Sequence, residues 1–303
     1  MLVQRTSGEF TANYCAPSKS TTTRRLATHI IEQYCQGKQT NASLNEDGMI
    51  VTAGFAAVVD GVTSKSIRHL WQPSGGAAAK NLTLETIAKL PGNATMRETQ
   101  QTIDASFQHA YHQRNDYDIF VHEPVERLQA NAVIYSAYRH EIWLFGDCQV
   151  MVNGNQTPTL KQADKLMGEL RAFATLALRK QQSSADVAQS TTHSIDPARE
   201  MILPFLRLQS QFANARGLYG YFVFDGFTDA TYPIRTVPVQ PGDEVVLASD
   251  GYPLLRPTLA ASEAELQRLK RDDPELVSEY QSTKGFTANY ESFDDRTYLR
   301  FIA

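Results

Sequence analysis

Short apolar runs that stop at an acidic residue are the most distinctive pattern along the chain. FAAVVDG rises to Asp60 and breaks on a glycine, EVVLASDG does the same at Asp250, and EIWLFGD closes on Asp147. A fourth acid, Asp294, opens an apolar run instead of closing one. Runs of this kind, rich in β-branched and aromatic residues and bounded by Gly, Asp, Asn or Pro, predict β-strands. The chain therefore carries acid at the ends of several predicted strands.

The same pattern predicts the other elements. Strands are expected over residues 49–60, 131–138, 141–147, 149–152, 220–224, 244–249 and 297–302. Apolar residues at helical spacing predict helices over residues 24–36, 75–89, 96–114, 162–180 and 197–214. The hairpin NAVIYSAYRHEIWLFGD is apolar on both faces, which indicates a sheet covered on both sides. Strands that come as hairpins, with helices inserted in pairs, favour a layered α+β fold over a doubly wound one.

One polar segment interrupts these elements. Residues 180–196, KQQSSADVAQSTTHSID, have almost no apolar content and predict a loop insertion. Strand-forming sequence lies on both sides of it and must share a sheet. We therefore expect a single domain over residues 1–303.

Composition narrows the class of protein. A chain of 303 residues with 42% hydrophobic content can bury a large core. A net charge of −4 without a basic stripe argues against nucleic acid as the partner. No apolar segment is long enough to span a membrane and the N-terminus lacks a signal-peptide core, so a cytoplasmic location is expected. The three cysteines are widely spaced, which indicates neither a zinc site nor a disulfide framework.

The acids at strand ends indicate a metal site. If the strands pair in adjacent sheets, the acids meet at one edge, where converging carboxylates repel unless a cation compensates them. Oxygen ligands without His or Cys favour magnesium or manganese over zinc. For one Asp-Gly pair alone, such as the FDG at residues 224–226, an ordinary turn is the simpler interpretation. For the four acids at strand ends taken together, a metal site is the better interpretation.

The motifs resemble the metal-dependent Ser/Thr protein phosphatases of the protein phosphatase 2C family. NEDGMIV is similar to the early acidic motif and AAVVDG to the first Asp-Gly. NAVIYSA followed by LFGDCQVMVNG resembles the strand pair that ends in Gly-Asp-Ser. GDEVVLASDG and DDRTYLRF resemble the two closing motifs, and the order is kept over residues 45–303. The resemblance implies a four-layer α-β-β-α sandwich: two antiparallel sheets flanked by helices, with two metals at one edge.

The resemblance also implies the catalytic set and its reaction. Asp60 would bridge two manganese or magnesium ions, with the carbonyl of Gly61 on one of them. Asp250 and Asp294 would hold the second ion. The implied reaction is hydrolysis of a phosphomonoester, most of all phospho-Ser/Thr of a protein, by a hydroxide held between the metals.

Three further acids have outer roles in this resemblance. Glu46 and Asp47 would contact metal-bound waters. Asp147, together with the Ser-Asp-Gly aspartate, would hold a weaker third ion.

The chain departs from the family where the substrate phosphate is gripped. An arginine precedes the early acidic motif in the family, and this chain has Ala42 there. Lys38 and Lys65 are the nearest cations and are the predicted substrate-binding residues, although each offers a point charge instead of a bidentate fork. Two other functions remain open: a pseudophosphatase that serves as an interaction module, and a phosphatase for small phosphorylated metabolites.

Overall fold

Two five-stranded antiparallel sheets form the centre of the molecule. The structure is a computed structural model, and it describes residues 28–181, 196–288 and 290–303. The strands are β1 (His29–Gln36), β2 (Asp47–Val51), β3 (Phe55–Gly61), β4 (Ala130–Ser136), β5 (Glu141–Phe145), β6 (Gln149–Val152), β7 (Asn155–Thr157), β8 (Arg235–Pro238), β9 (Glu244–Ala248) and β10 (Arg296–Ile302). One sheet has the order β1-β10-β9-β6-β7 and the other β2-β3-β4-β5-β8.

Six helices flank the sheets within the described residues. They are α1 (Gly75–Lys89), α2 (Met96–His112), α3 (Tyr117–His122), α4 (Gln162–Gln181), α5 (Pro197–Leu208) and α6 (Leu259–Asp272). Helix α1 packs on β2, β3 and β4. Helix α6 lies beside the other sheet, where Glu263 pairs with Arg296 of β10 at 2.8 Å. The predicted α-β-β-α sandwich is confirmed.

Alternation along β3 explains why the sheets stack. Val58 points into the layer between the sheets, where it meets Leu247 and Phe301. Val59, one residue on, points to the opposite face and packs in the cluster that contains Phe107 of α2. Because successive strand residues face opposite sides, a strand that is apolar at every position needs a cover on both faces.

Several predicted bounds are confirmed. Helix α1 covers the predicted residues 75–89, and β6 covers residues 149–152. Helix α2 begins at the capping box of Thr95 and Glu98, in which side chain and backbone bond reciprocally. The predicted helix 197–214 ends at Leu208 and continues as a 3-10 turn to Phe212.

Three predicted elements are wrong. Residues 29–36 of the predicted helix 24–36 form the edge strand β1, whose exposure alternates from one residue to the next, and residues 24–27 lie outside the described part. The predicted strand 49–60 is two strands, because a turn at residues 52–54 reverses the chain. Residues 220–224 make only isolated bridges, one from Phe224 to Ala130 at the start of β4 and one from Tyr221 to Ala213, while Phe222 and Phe224 pack into the core.

The predicted polar insertion falls largely outside the described residues. Helix α4 ends at Gln181 and α5 begins at Pro197, and residues 182–195 of the predicted loop 180–196 lie outside the description. Single-domain organisation therefore stays a prediction. Among the residues described, no helix has the length and apolar character required to span a bilayer.

Candidate functional site

A cavity of about 450 Å³ opens where the strand ends of both sheets meet. Asp60, Asp147, Asp250 and Asp294 all line it. These are the four acids singled out at the ends of apolar runs. The structure brings them together although they are far apart in sequence.

The register of one sheet positions the first acids. Asp47 of β2 lies directly opposite Asp60 of β3, and Asn131 of β4 lies opposite Asp60 on the other side. The amide of Asn131 donates to Oδ2 of Asp60 at 3.4 Å. Three polar residues thus stand in a row across the sheet end.

The other sheet supplies the second pair of acids. Asp250 follows β9, and Asp294 precedes β10. The backbone N–H of Ser249 donates to the carbonyl of Thr297 at 3.0 Å, and the N–H of Thr297 donates back to the Ser249 hydroxyl at 2.9 Å. This exchange fixes the two strand ends side by side, so both acids face the same cavity.

Close backbone approach explains why glycine follows two of the aspartates. A Cβ on Gly61 would lie 2.0 Å from the carbonyl oxygen of Gly76 in α1, and a Cβ on Gly251 would lie 2.0 Å from that of Asp295. Side chains other than hydrogen do not fit there. The N–H of Gly61 donates to the carbonyl of Glu46 at 2.8 Å, which ties β3 to the early acidic segment.

Two of the four acids have pKa values raised well above their usual range. Burial, followed by Asp47 and Asp147, raises the pKa of Asp60 well above its usual range. Burial, followed by Asp60 and Asp294, raises the pKa of Asp250 in the same direction. Because each carboxylate faces others, the charged forms disfavour one another.

Lysines compensate the other two acids. Lys38 Nζ lies 3.2 Å from Asp294 Oδ1, and Lys284 Nζ pairs with Asp294 Oδ2. Burial would raise the pKa of Asp294, but the two lysines outweigh it and hold the pKa below its usual range. Lys161 Nζ lies 2.8 Å from Asp147 Oδ2. The cavity therefore holds paired and unpaired carboxylates side by side.

Glu46 is held by donors of the protein itself. Its carboxylate accepts hydrogen bonds from the hydroxyls of Thr63 at 2.5 Å and Ser74 at 2.7 Å. Lys38 Nζ lies 3.5 Å from it. Ser74 also caps α1, so the early acidic motif is locked against the start of that helix.

The donor set suits a hard divalent cation at Asp60 and Asp250. The side chain of Asp250 has no hydrogen bond or ion pair among the described residues, and buried oxygens of Asp47 (Oδ2) and Asp147 (Oδ1) have no partner. Oxygen-only ligands of this kind fit magnesium or manganese. In residues 28–181, 196–288 and 290–303, no three acidic, His or Cys side chains form a finished metal cage.

The two predicted substrate-binding lysines have different surroundings. Lys38 contacts the carboxylates of Glu46, Asp294 and Asp295, so its charge is already compensated. Lys65 lines the cavity and has no such contact within the part of the chain described. Lys65 is the better placed of the two for an anion.

Sequence reasoning missed several charged residues of the site. Lys161 and Arg199 lie at the starts of α4 and α5, and Lys284 lies in the loop before β10. No spacing links them to the acidic motifs. Asp295 was visible as the second acid of DDRTYL, and it accepts the backbone N–H groups of Lys38 at 2.7 Å and Glu46 at 3.1 Å.

Comparison with known proteins gives a likeness of fold. No protein-family model matches the sequence, and no curated protein does. The catalytic domain of the serine/threonine phosphatase PstP in complex with two manganese ions is 13% identical, with 91% of this chain and 99% of that chain covered and a TM-score of 0.46. The serine/threonine phosphatase PstP/Ppp of Mycobacterium tuberculosis is 14% identical, with 91% and 99% covered and a TM-score of 0.47. Stp1 of Staphylococcus aureus is 13% identical, with 90% and 94% covered and a TM-score of 0.44. At this identity the likeness concerns the chain path and not the site residues.

Proposed function

We propose that this chain is a metal-dependent phosphomonoester hydrolase with its cation site at Asp60, Asp250 and Asp294. The observation that carries the proposal is the convergence of acids from separate strand ends in one cavity. Carboxylates that are brought together in this way repel, and a divalent cation relieves the repulsion. The order of the motifs along the chain supports the same conclusion.

A divalent cation bound here would supply Lewis-acid charge stabilisation and an activated water. The chain's own residues would hold the site: Asp60, Asp250 and Asp294 as ligands, and Asp147 as an outer acid kept in place by Lys161. Among the described residues that line the cavity there is no histidine and no cysteine. A cysteine nucleophile and a histidine base are therefore absent from the described lining, and we propose a water activated by the cation as the attacking group.

The substrate class that we propose is phospho-Ser/Thr of a protein, with manganese or magnesium as the cofactor. The cavity is open to solvent, so a phosphorylated side chain that projects from a partner protein can reach the acids. A small phosphorylated metabolite would use the same acids, so the two substrates are separated by experiment.

One observation favours a second candidate, a pseudophosphatase. Lys38 and Lys284 together occupy both oxygens of Asp294. If these ion pairs persist, Asp294 is lost as a metal ligand and the fold would serve as a binding module.

Hydrolysis of p-nitrophenyl phosphate by the purified chain tests the proposal. We expect turnover with manganese that a chelator abolishes, and none in Asp60→Asn. Asp118→Asn, an exposed acid on α3, is the matched control and should keep full activity. Metal-independent turnover, or no turnover by wild type with either cation, would contradict the proposal; the second result would favour the pseudophosphatase. A phosphothreonine peptide measured alongside separates a protein substrate from a small one.

A further inference from the structure

Two cations in the cavity wall have no acidic partner. Lys65, in the loop after β3, has no hydrogen bond or ion pair to its ammonium group within the part of the chain described. Arg199, in the first turn of α5, uses one guanidinium nitrogen on the carbonyl of Thr283 at 2.5 Å and makes no ion pair there. Both side chains are half-buried and line the same cavity.

The other cations of this cavity contrast with that pair. Lys161 pairs with Asp147 at 2.8 Å, and Arg127 pairs with Asp225 at 3.0 Å. Lys284 pairs with Asp294. Lys65 and Arg199 are thus the cavity cations that form no ion pair with a described acidic side chain.

The pair is held in place by its own elements. The carbonyl of Lys65 accepts a hydrogen bond from Arg207 of α5 at 3.2 Å, which ties the loop to the helix. The N-cap Asp196 accepts the backbone N–H of Arg199 at 2.9 Å. Buried Arg171 of α4 donates to the carbonyl of Ser282 at 3.2 Å, which anchors the loop that carries Thr283.

The electrostatic surroundings point to an anionic ligand. Burial, and then the neighbouring charges of Arg199 and Lys284, lower the pKa of Lys65 to about 8, while Asp164 and Glu46 act in the opposite direction. Like charges placed together in a recess are relieved by an anion that enters between them. An ammonium and a guanidinium are the side chains best suited to phosphate oxygens.

We propose that Lys65 and Arg199 form an oxyanion-binding wall that holds the outer oxygens of the substrate's phosphate. The guanidinium of Arg199 restores the planar fork that is missing at Ala42, and it comes from a helix instead of the early acidic motif. This inference rests on the proposed function in one respect: only if the chain is a hydrolase is the bound phosphate part of its substrate. The wall itself is testable without turnover.

Calorimetric titration of inorganic phosphate into the full chain tests the wall, first with chelator and then with magnesium. Lys65→Met and Arg199→Gln should each raise the Kd about tenfold to a hundredfold, the loss expected for a charge-assisted hydrogen bond. Lys165→Met is the matched control, since Lys165 is exposed on α4 and, among the described residues, pairs with Glu169 alone, so its Kd should equal that of wild type. Arg199→Lys keeps the charge without the fork and should lie between wild type and Arg199→Gln.

The outcomes separate this proposal from the proposed function. An unchanged Kd in Lys65→Met, which loses no described side-chain contact and should fold normally, would overturn the wall. Absence of phosphate binding by wild type in both conditions would overturn it as well. If phosphate binds through these residues but no cation gives turnover, the wall stands and the hydrolase proposal fails. If turnover occurs and both variants bind phosphate as wild type does, the hydrolase stands and the wall fails.

Discussion

Replacing Asp250 with asparagine should change stability in opposite directions with and without a divalent cation. The carboxylate is recessed in the cavity beside Asp60 and Asp294, and within the described residues its side chain has no hydrogen bond or ion pair. Without a cation, Asp250→Asn removes an uncompensated charge and should stabilise the fold. With a cation, the same change removes a ligand and should cancel the stabilisation that the ion provides.

Asp250→Asn should stabilise the cation-free protein because the pKa of Asp250 is raised in the folded state by burial and then by Asp60. A carboxyl with a raised folded pKa contributes stability below its unfolded pKa and loses that contribution as the pH rises. In chelator, the free energy of unfolding of Asp250→Asn should therefore exceed that of wild type by little near pH 4 and by more at pH 7. Because the carboxylate keeps some accessible area, we expect a gain of about 1–2 kcal/mol, the lower part of the range for a buried polar group without a partner.

The cation should act in the other direction. Binding to the native state alone stabilises by about 2.7 kcal/mol at a hundredfold excess over Kd. For a chain of 303 residues, with an unfolding entropy of about 2.1 cal/mol/K per residue, that is roughly 4 °C in the unfolding midpoint. The assay is thermal unfolding followed by circular dichroism, in chelator and in millimolar manganese, with Asp118→Asn as the control. The reasoning is refuted if Asp250→Asn is no more stable than wild type in chelator, or if it keeps the full manganese shift.

Three further predictions test the packing around the site. Arg127→Met leaves Asp225 fully buried without its ion-pair partner and should lower the free energy of unfolding in urea by about 3–5 kcal/mol. A decrease below about 1 kcal/mol would show that the ion pair is dispensable. Burial raises the pKa of Asp104 to about 7. At 1.36 kcal/mol per pKa unit, the protonated carboxyl contributes about 4 kcal/mol to the free energy of unfolding. This contribution is present below about pH 4 and is largely lost by about pH 7. Asp104→Asn should flatten the dependence of the free energy of unfolding on pH between about pH 4 and pH 7. An unaltered dependence would contradict the role given to Asp104. Gly61→Ala should prevent the approach to Gly76 and lower the unfolding midpoint by several degrees, whereas a wild-type midpoint would mean that α1 can shift aside.

The strand-end acids could be predicted from sequence because strand geometry is local. An apolar run fixes which residues face the core, and the first polar residue after it lies at the sheet end whichever strands become neighbours. Asp60 and Asp250 could thus be assigned to strand ends before the pairing was known, whereas their meeting at one edge depends on how the strands pair. Their roles as metal ligands stay predictions.

The partners of those acids could not be predicted, because they come from elements with no pattern in common. Lys284 lies in a loop and Arg199 on a helix, and only the folded chain brings them to the cavity. The helix expected over residues 24–36 is wrong at β1 because a strand at a sheet edge keeps one face exposed and therefore mixes polar and apolar residues, as an amphipathic helix also does. The short edge strand β8, RTVP, is almost wholly exposed and gives no apolar signal.

Manganese binding followed by electron paramagnetic resonance shows whether the acids of this cavity hold divalent cations, since free Mn²⁺ gives a signal that largely disappears on binding to protein. We predict that wild type removes two equivalents of manganese from solution, that Asp60→Asn removes none tightly, and that Asp118→Asn behaves as wild type. A wild-type chain that leaves the free-manganese signal unchanged, or an Asp60→Asn variant that binds as wild type does, would contradict the account.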